Sequence, residues 1–193
     1  MTIIVAAKIN NKIYMGSDTQ LTGGNYKTYC DEKWIKVEIS EYGDYCYIGC
    51  TGRLEFINFL KYYFKAPYKE KKQQFDNYLF NNLAPSILEG LQDKQLILKS
   101  NEKIDTEGAM IVVYDKIYHI YDNMFPAICQ DNFAAEGSGY AYAYGAWKAI
   151  HDIEKKENIN IDNIDKIKFC INAANEYNPY CGGEIKTITK EVM

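Results

Sequence analysis

The spacing of apolar residues switches several times along the chain, and the order of those switches constrains the fold more than any single motif. Thr2 to Ile9 form an apolar run, Asn10-Asn11 offers a two-residue turn, and Lys12 to Gly16 runs back. Asparagine tolerates the positive φ that such a hairpin turn needs. A second hairpin is predicted from Trp34–Ile39 to Asp44–Cys50 around Tyr42-Gly43, supported by alternation in Asp44-Tyr45-Cys46-Tyr47-Ile48. Leu54, Ile57, Leu60 and Phe64 then recur at three and four, the period of a helix. A polar link, Lys65–Lys72, leads to a second helix over Phe75–Leu91, which Pro85 bends or divides. The charged stretch Asp93–Glu107 carries no clear period. Strands return at Gly108–Tyr114 and Ile117–Tyr121, joined at Asp115-Lys116, and a short one at Phe133–Glu136. Helices over Tyr140–Lys155 and Asp162–Tyr177 follow, and an alternating strand, Glu184–Val192, ends the chain.

The order is therefore strands, two helices, strands, two helices, strand, an α+β pattern. Two antiparallel sheets packed face to face and covered by helix pairs would bury every apolar face, giving a four-layer αββα sandwich. The chain has 193 residues, nearly half of them apolar, which suits one domain over 1–193 with an ordinary core. The link Lys65–Lys72 is too short and too early to divide it.

Composition removes several functions. The formal charge is −4 and Arg53 is the sole arginine, so a nucleic-acid surface is not expected. Cys30, Cys46, Cys50, Cys129, Cys170 and Cys181 form no CxxC pair and accompany only His119 and His151, so no metal site is expected. Reduced thiols in a cytoplasmic protein are the expectation. The amino terminus lacks a positive start, is interrupted by Lys8, and reads as a strand rather than a secretion signal. No apolar run reaches membrane-spanning length. Phosphate-loop, GxSxG and HExxH patterns are absent. His119 falls within a strand and His151 on a charged helix face, so both read as structural or solvated.

What remains is Thr2, directly after Met1. Removal of Met1 would leave a free α-amine beside the threonine's own hydroxyl. That amine titrates near ~8 and can take the hydroxyl proton directly or through one water, so no histidine is needed. Alone the signal is weak, since Thr2 also reads as the first residue of a strand. Three features strengthen it. Met15-Gly16-Ser17-Asp18-Thr19-Gln20 delivers an aspartate past a hairpin, and Asp31-Glu32-Lys33-Trp34 puts a lysine at the next strand's start. Ile48-Gly49-Cys50-Thr51-Gly52 turns a strand into a helix at a glycine.

Together these residues resemble the proteasome β-subunit family of N-terminal nucleophile hydrolases, including the bacterial peptidase of the HslV type that partners an unfoldase ring. Thr2-Ile3-Ile4-Val5-Ala6 is similar to that family's mature start, and Gly16-Ser17-Asp18-Thr19-Gln20 to its Gly-x-Asp turn. Lys33-Trp34-x-x-Val37, Gly49-x-x-Gly52 and Gly137-Ser138-Gly139 resemble its lysine, oxyanion and Gly-Ser-Gly segments. The resemblance runs from Thr2 to Val192. It implies a threonine peptidase without a cofactor, assembled with copies of itself into a ring, acting on peptides or unfolded protein, with an ATP-dependent unfoldase as partner. It assigns attack to Thr2, electrostatic support to Lys33, orientation of Lys33 to Asp18, an oxyanion N–H to Gly52 and proton handling near the α-amine to Ser138. It places Leu21, Cys50 and Leu54 around the pocket for the residue before the cut, implying a preference for apolar side chains.

Each residue also has a plainer reading: a turn aspartate, a solvated lysine, a helix N-cap for Ser138, a backbone glycine at Gly52. One departure stands out. In Asn178-Pro179-Tyr180-Cys181-Gly182-Gly183, Asn178 occupies the place of the family's aspartate and Cys181 that of its serine. An amide supplies hydrogen bonds but no negative charge. A retained Met1 would leave the Thr2 nitrogen as an amide. No longer propeptide is expected before Thr2, and processing is expected to need only a methionine aminopeptidase. The rival expectations are an inactive proteasome-fold scaffold and a small-molecule amidase on the same fold.

Overall fold

The computed structural model describes residues 2–23, 26–100 and 103–192. Strands β1 (Ile3–Ile9) and β2 (Lys12–Asp18) form the expected hairpin, with Asn10 at φ 54° in its turn. A second hairpin follows, β3 (Gln20–Gly23) with β4 (Tyr26–Tyr29). The sequence reading has no strand here, because β4 is exposed throughout and shows no buried alternation. Strands β5 (Trp34–Glu38) and β6 (Tyr45–Cys50) pair as predicted, with Gly43 at φ 83° in the turn.

Helix α1 spans Leu54–Tyr62. Helix α2 (Phe75–Tyr78) runs through a π-helical turn, Leu79–Leu83, into α3 (Ala84–Asp93). Pro85 thus does not divide this helix. Lacking an N–H, it cannot satisfy the carbonyl four residues earlier. The widened turn absorbs the mismatch, its last bond running from the Ala84 N–H to the Leu79 carbonyl five residues back. Part of the unassigned stretch after α3 forms a short hairpin, β7 (Leu98–Ser100) and β8 (Lys103–Asp105).

Strands β9 (Met110–Val113), β10 (Ile117–Ile120), β11 (Pro126–Ile128) and β12 (Phe133–Gly137) precede α4 (Tyr140–Glu157), α5 (Asn163–Tyr177) and the last strand, β13 (Ile185–Glu191). Strand β11 escaped the sequence reading because it is short and opens on Pro126. Such a proline is tolerated because β11 lies at a sheet edge.

One sheet has the order β12-β1-β2-β13 and the other β11-β10-β9-β6-β5. Strand parity explains how they stack. On β1, Ile3, Val5 and Ala7 pack against Ile167, Cys170 and Ile171 of α5, while Ile4 and Ala6 face Ile111, Val113 and Ile117 of the other sheet. That opposing sheet presents Cys46, Ile48 and Val112 to Phe56, Leu60, Leu79 and Ile87 of the helices on its far side. The molecule is therefore the expected αββα sandwich, with β1 buried on both faces. Among the described residues, no helix is long and apolar enough to cross a membrane.

Ile4 is fully buried between the sheets. Ile4→Ala is expected to lower stability by about 2–5 kcal/mol. The check is denaturant unfolding, in which the midpoint should fall while the slope stays constant.

Candidate active site

The turn at Asn10 brings the end of β2 back beside the start of the chain, with Ile4 opposite Ser17. Asp18, the last residue of β2, therefore lies next to Thr2. Lys33 arrives from the other sheet, immediately before β5. Its N–H donates to Ser17 Oγ at 3.4 Å, and its carbonyl accepts from the Cys50 N–H at 2.8 Å. Thr2 is 2 % exposed, and Asp18 and Lys33 are fully buried.

These three side chains form one network. Lys33 Nζ donates to Thr2 Oγ1 at 2.5 Å, to Asp18 Oδ1 at 2.8 Å and to the Gln20 carbonyl. All three ammonium protons thus have acceptors. Thr2 Oγ1 donates to Asp18 Oδ1 at 2.5 Å, and the Ile3 N–H donates to the same oxygen at 3.0 Å. The other oxygen, Oδ2, accepts from the Gly182 N–H at 3.0 Å. Burial pushes the Lys33 ammonium below its ordinary range, and Asp18 opposes that shift. A cation held on a hydroxyl oxygen favours the alkoxide, and a carboxylate beside it keeps the cation oriented.

Gly52 lines a cavity of about 410 Å³ together with Thr2, Glu136 and Gly137. Its φ is 93°, and a Cβ there would fall 2.1 Å from the Glu107 carbonyl. Gly137 has φ 100°, and its Cβ would fall 2.2 Å from the Thr2 carbonyl, so only glycine admits this approach of β12 to the chain's start. Ser138 is not a helix N-cap: Gly139 holds that position. Its hydroxyl instead donates to the Thr2 carbonyl at 3.4 Å and lies 3.6 Å from Cys181 Sγ.

The C-terminal turn closes the site with one hydrogen bond that an ionised carboxylate could not copy. Asn178 Nδ2 donates to the Ser138 carbonyl at 2.6 Å, while its Oδ1 accepts from the Tyr180 N–H at 2.9 Å. Burial pushes the Cys181 thiol up to about 11, so it stays neutral. The Gly182 carbonyl also accepts from the Thr19 and Gln20 N–H groups. The role of Gly182 was missed by sequence reasoning; the Gly182-Gly183 pair was its one visible signal.

Leu21 and Leu54 line a second cavity, about 580 Å³, that shares Gly52 and Glu107 with the first. Cys50 does not. It is 1 % exposed and belongs to the core beneath the α1–α3 layer, because its parity on β6 turns it to the helices. The lining also includes Arg53, Glu55 and Glu107, with Arg53 within 3.7 Å of Glu55 and 3.5 Å of Glu107. Leu21 and Leu54 therefore share this cavity with charged side chains. Among the described residues, no group of three or more His, Cys, Asp or Glu is placed to hold a metal ion.

No protein-family model matches the sequence, and no curated protein matches it. Solved structures do. A Thiobacillus denitrificans structure, BPH in complex with epoxomicin, superposes with a TM-score of 0.77 at 19 % identity, covering 100 % of both chains. The chain has a proteasome-type fold. Eukaryotic HslV from Trypanosoma brucei superposes with a TM-score of 0.65 at 16 % identity, covering 98 % of this chain and 99 % of its own. The Anbu complex from Pseudomonas aeruginosa, described as a helical assembly, gives 0.66 at 14 % identity, covering 98 % and 81 %. At these identities the proteasome-type likeness speaks for architecture, and the chemistry rests on the side chains just described.

Asn178→Asp is expected to destabilise the protein by about 1–3 kcal/mol at neutral pH, since an ionised carboxylate cannot donate to the Ser138 carbonyl. Protonation restores a donor, so the loss should shrink as pH falls below ~4. Thermal unfolding of both proteins across pH 3–7 checks this.

Proposed function

We propose that this chain is an N-terminal threonine peptidase that becomes active when Met1 is removed. The observation that carries the reading is Lys33 Nζ at 2.5 Å from Thr2 Oγ1, with Asp18 bound to both. Met1 itself lies outside the described residues. Once it is gone, the Thr2 amine takes the hydroxyl proton, and the oxygen attacks a peptide carbonyl while Lys33 offsets the developing charge. The Gly52 N–H receives the oxyanion. The ammonium returns its proton to the departing amine, leaving an ester on Thr2 that water hydrolyses. Ser138 orients the terminal residue through its carbonyl.

Self-association into a closed ring, an unfolded-protein substrate delivered by an ATP-dependent unfoldase, and a cytoplasmic location complete the proposal. The assembled state of the Anbu relative supports self-association. A second reading, a catalytically silent scaffold of the same fold, is favoured by the neutral Asn178 and Cys181, which place no anion beside Ser138.

Mass analysis of the amino terminus, followed by cleavage assays on unstructured peptides, separates the two. Mature protein should cleave, Thr2→Ala should abolish turnover, and Lys33→Ala should lose at least ~10²-fold. Lys33→Ala also leaves Asp18 buried without its cation, at a cost of about 3–5 kcal/mol, so Thr2→Ala is the cleaner variant. Mature protein that neither cleaves peptides nor binds epoxomicin is a scaffold.

A further inference from the structure

His119, set aside on sequence grounds as structural, meets a cysteine and a glutamate at the open edge between the sheets. The Cys129 N–H donates to the Ile117 carbonyl at 2.9 Å, extending the β10–β11 ladder, in which His119 faces Ala127. Paired residues share a face, and so do residues two apart, so Cys129, Ile117 and His119 all point into the gap between sheets. Glu136 enters that gap from β12, and its Oε2 lies 3.5 Å from His119 Nδ1. The neutral thiol donates to the Phe133 carbonyl at 2.9 Å, which aims Sγ at the same strand.

We propose that Cys129 is a reactive thiol, prepared by His119, that exchanges with low-molecular-weight disulfides to form a mixed disulfide at this edge. The step balances within the exchange. Cys129 loses its proton to solvent water while the His119 cation favours the thiolate, and its sulfur attacks one disulfide sulfur. A new S–S bond forms as the old one breaks, and the departing thiolate carries off the electron pair and is protonated by water.

The other thiols contrast with it. Cys46, Cys50, Cys170 and Cys181 are buried, and burial pushes Cys46 and Cys170 up to about 12 and Cys181 to about 11. Cys30 is half-buried and also pushed up, chiefly by burial. Burial acts on Cys129 in the same direction, yet His119 and the backbone at Asp131 overcome it and leave the thiol below its ordinary value. Burial would lower His119 too, but contacts with Cys129 and Glu136 raise it to about 9, so it is an imidazolium at neutral pH. Asp131, Tyr121 and Tyr144 of α4 are other titratable groups near this cluster.

The cluster adjoins the Thr2 cavity, since His119 stacks on Tyr121, and Tyr121 and Glu136 line that cavity. The proposal does not depend on the threonine mechanism. Its test is to incubate the full chain with glutathione disulfide and quantify each cysteine by mass spectrometry after digestion. Cys129 should be modified first, about tenfold or more faster than Cys30, and His119→Asn should remove that advantage. Equal or earlier modification of Cys30, or an unchanged rate in His119→Asn, overturns it. If that variant fails to fold, alkylation of the wild type by iodoacetamide across pH decides. A midpoint for Cys129 below about 8.5 supports the proposal, and one at or above it overturns it.

Discussion

The buried carboxylate of Asp18 is the constraint on which the rest of the site depends. A charge out of water must be paired and hydrogen-bonded or its burial is strongly unfavourable. Asp18 meets that demand with the Lys33 ammonium, the Thr2 hydroxyl and the N–H groups of Ile3 and Gly182. Those partners come from the chain's start, from the strand entry of the opposite sheet and from the C-terminal turn. One carboxylate thereby ties three segments distant in sequence to one point, and it places a cation on a hydroxyl oxygen.

The sandwich makes that convergence possible. The chain's start and the end of β2 meet because the Asn10 turn sets the register of β1 and β2. Lys33 reaches them because the two sheets pack face to face through Ile4, Met15, Ile111 and Val113. Glycine at 52 and 137 then permits backbone approaches that a side chain would block. The C-terminal turn closes the arrangement with neutral groups. Asn178 works as a donor to the Ser138 carbonyl, and Cys181 as a buried thiol against the Ser138 hydroxyl. This part of the site therefore depends on hydrogen-bond direction rather than charge.

Much of this was legible beforehand. The two early hairpins, both helix pairs and the last strand follow from period and turn residues, because those elements bury one face and expose or differently bury the other. The elements that escaped, β3, β4, β7, β8 and β11, carry no such contrast: β3 and β4 are four residues each with β4 exposed throughout, and β7, β8 and β11 are three residues each. Cys50 was misplaced for a related reason. A motif gives its position along the strand, but parity within the assembled sheet turns its side chain into the core.

From sequence alone come the αββα order, the candidacy of Thr2, Asp18, Lys33, Gly52 and Ser138, and the absence of a charged residue at Asn178. These are local matters of periodicity, residue chemistry and order along the chain. Only the tertiary structure decided that Lys33 Nζ lies on the Thr2 oxygen, that Gly182 completes the shell of Asp18, and that His119, Cys129 and Glu136 share one gap. Such contacts join residues from different strands and turns. Their distances are set by the packing of two sheets, which no single stretch of chain encodes.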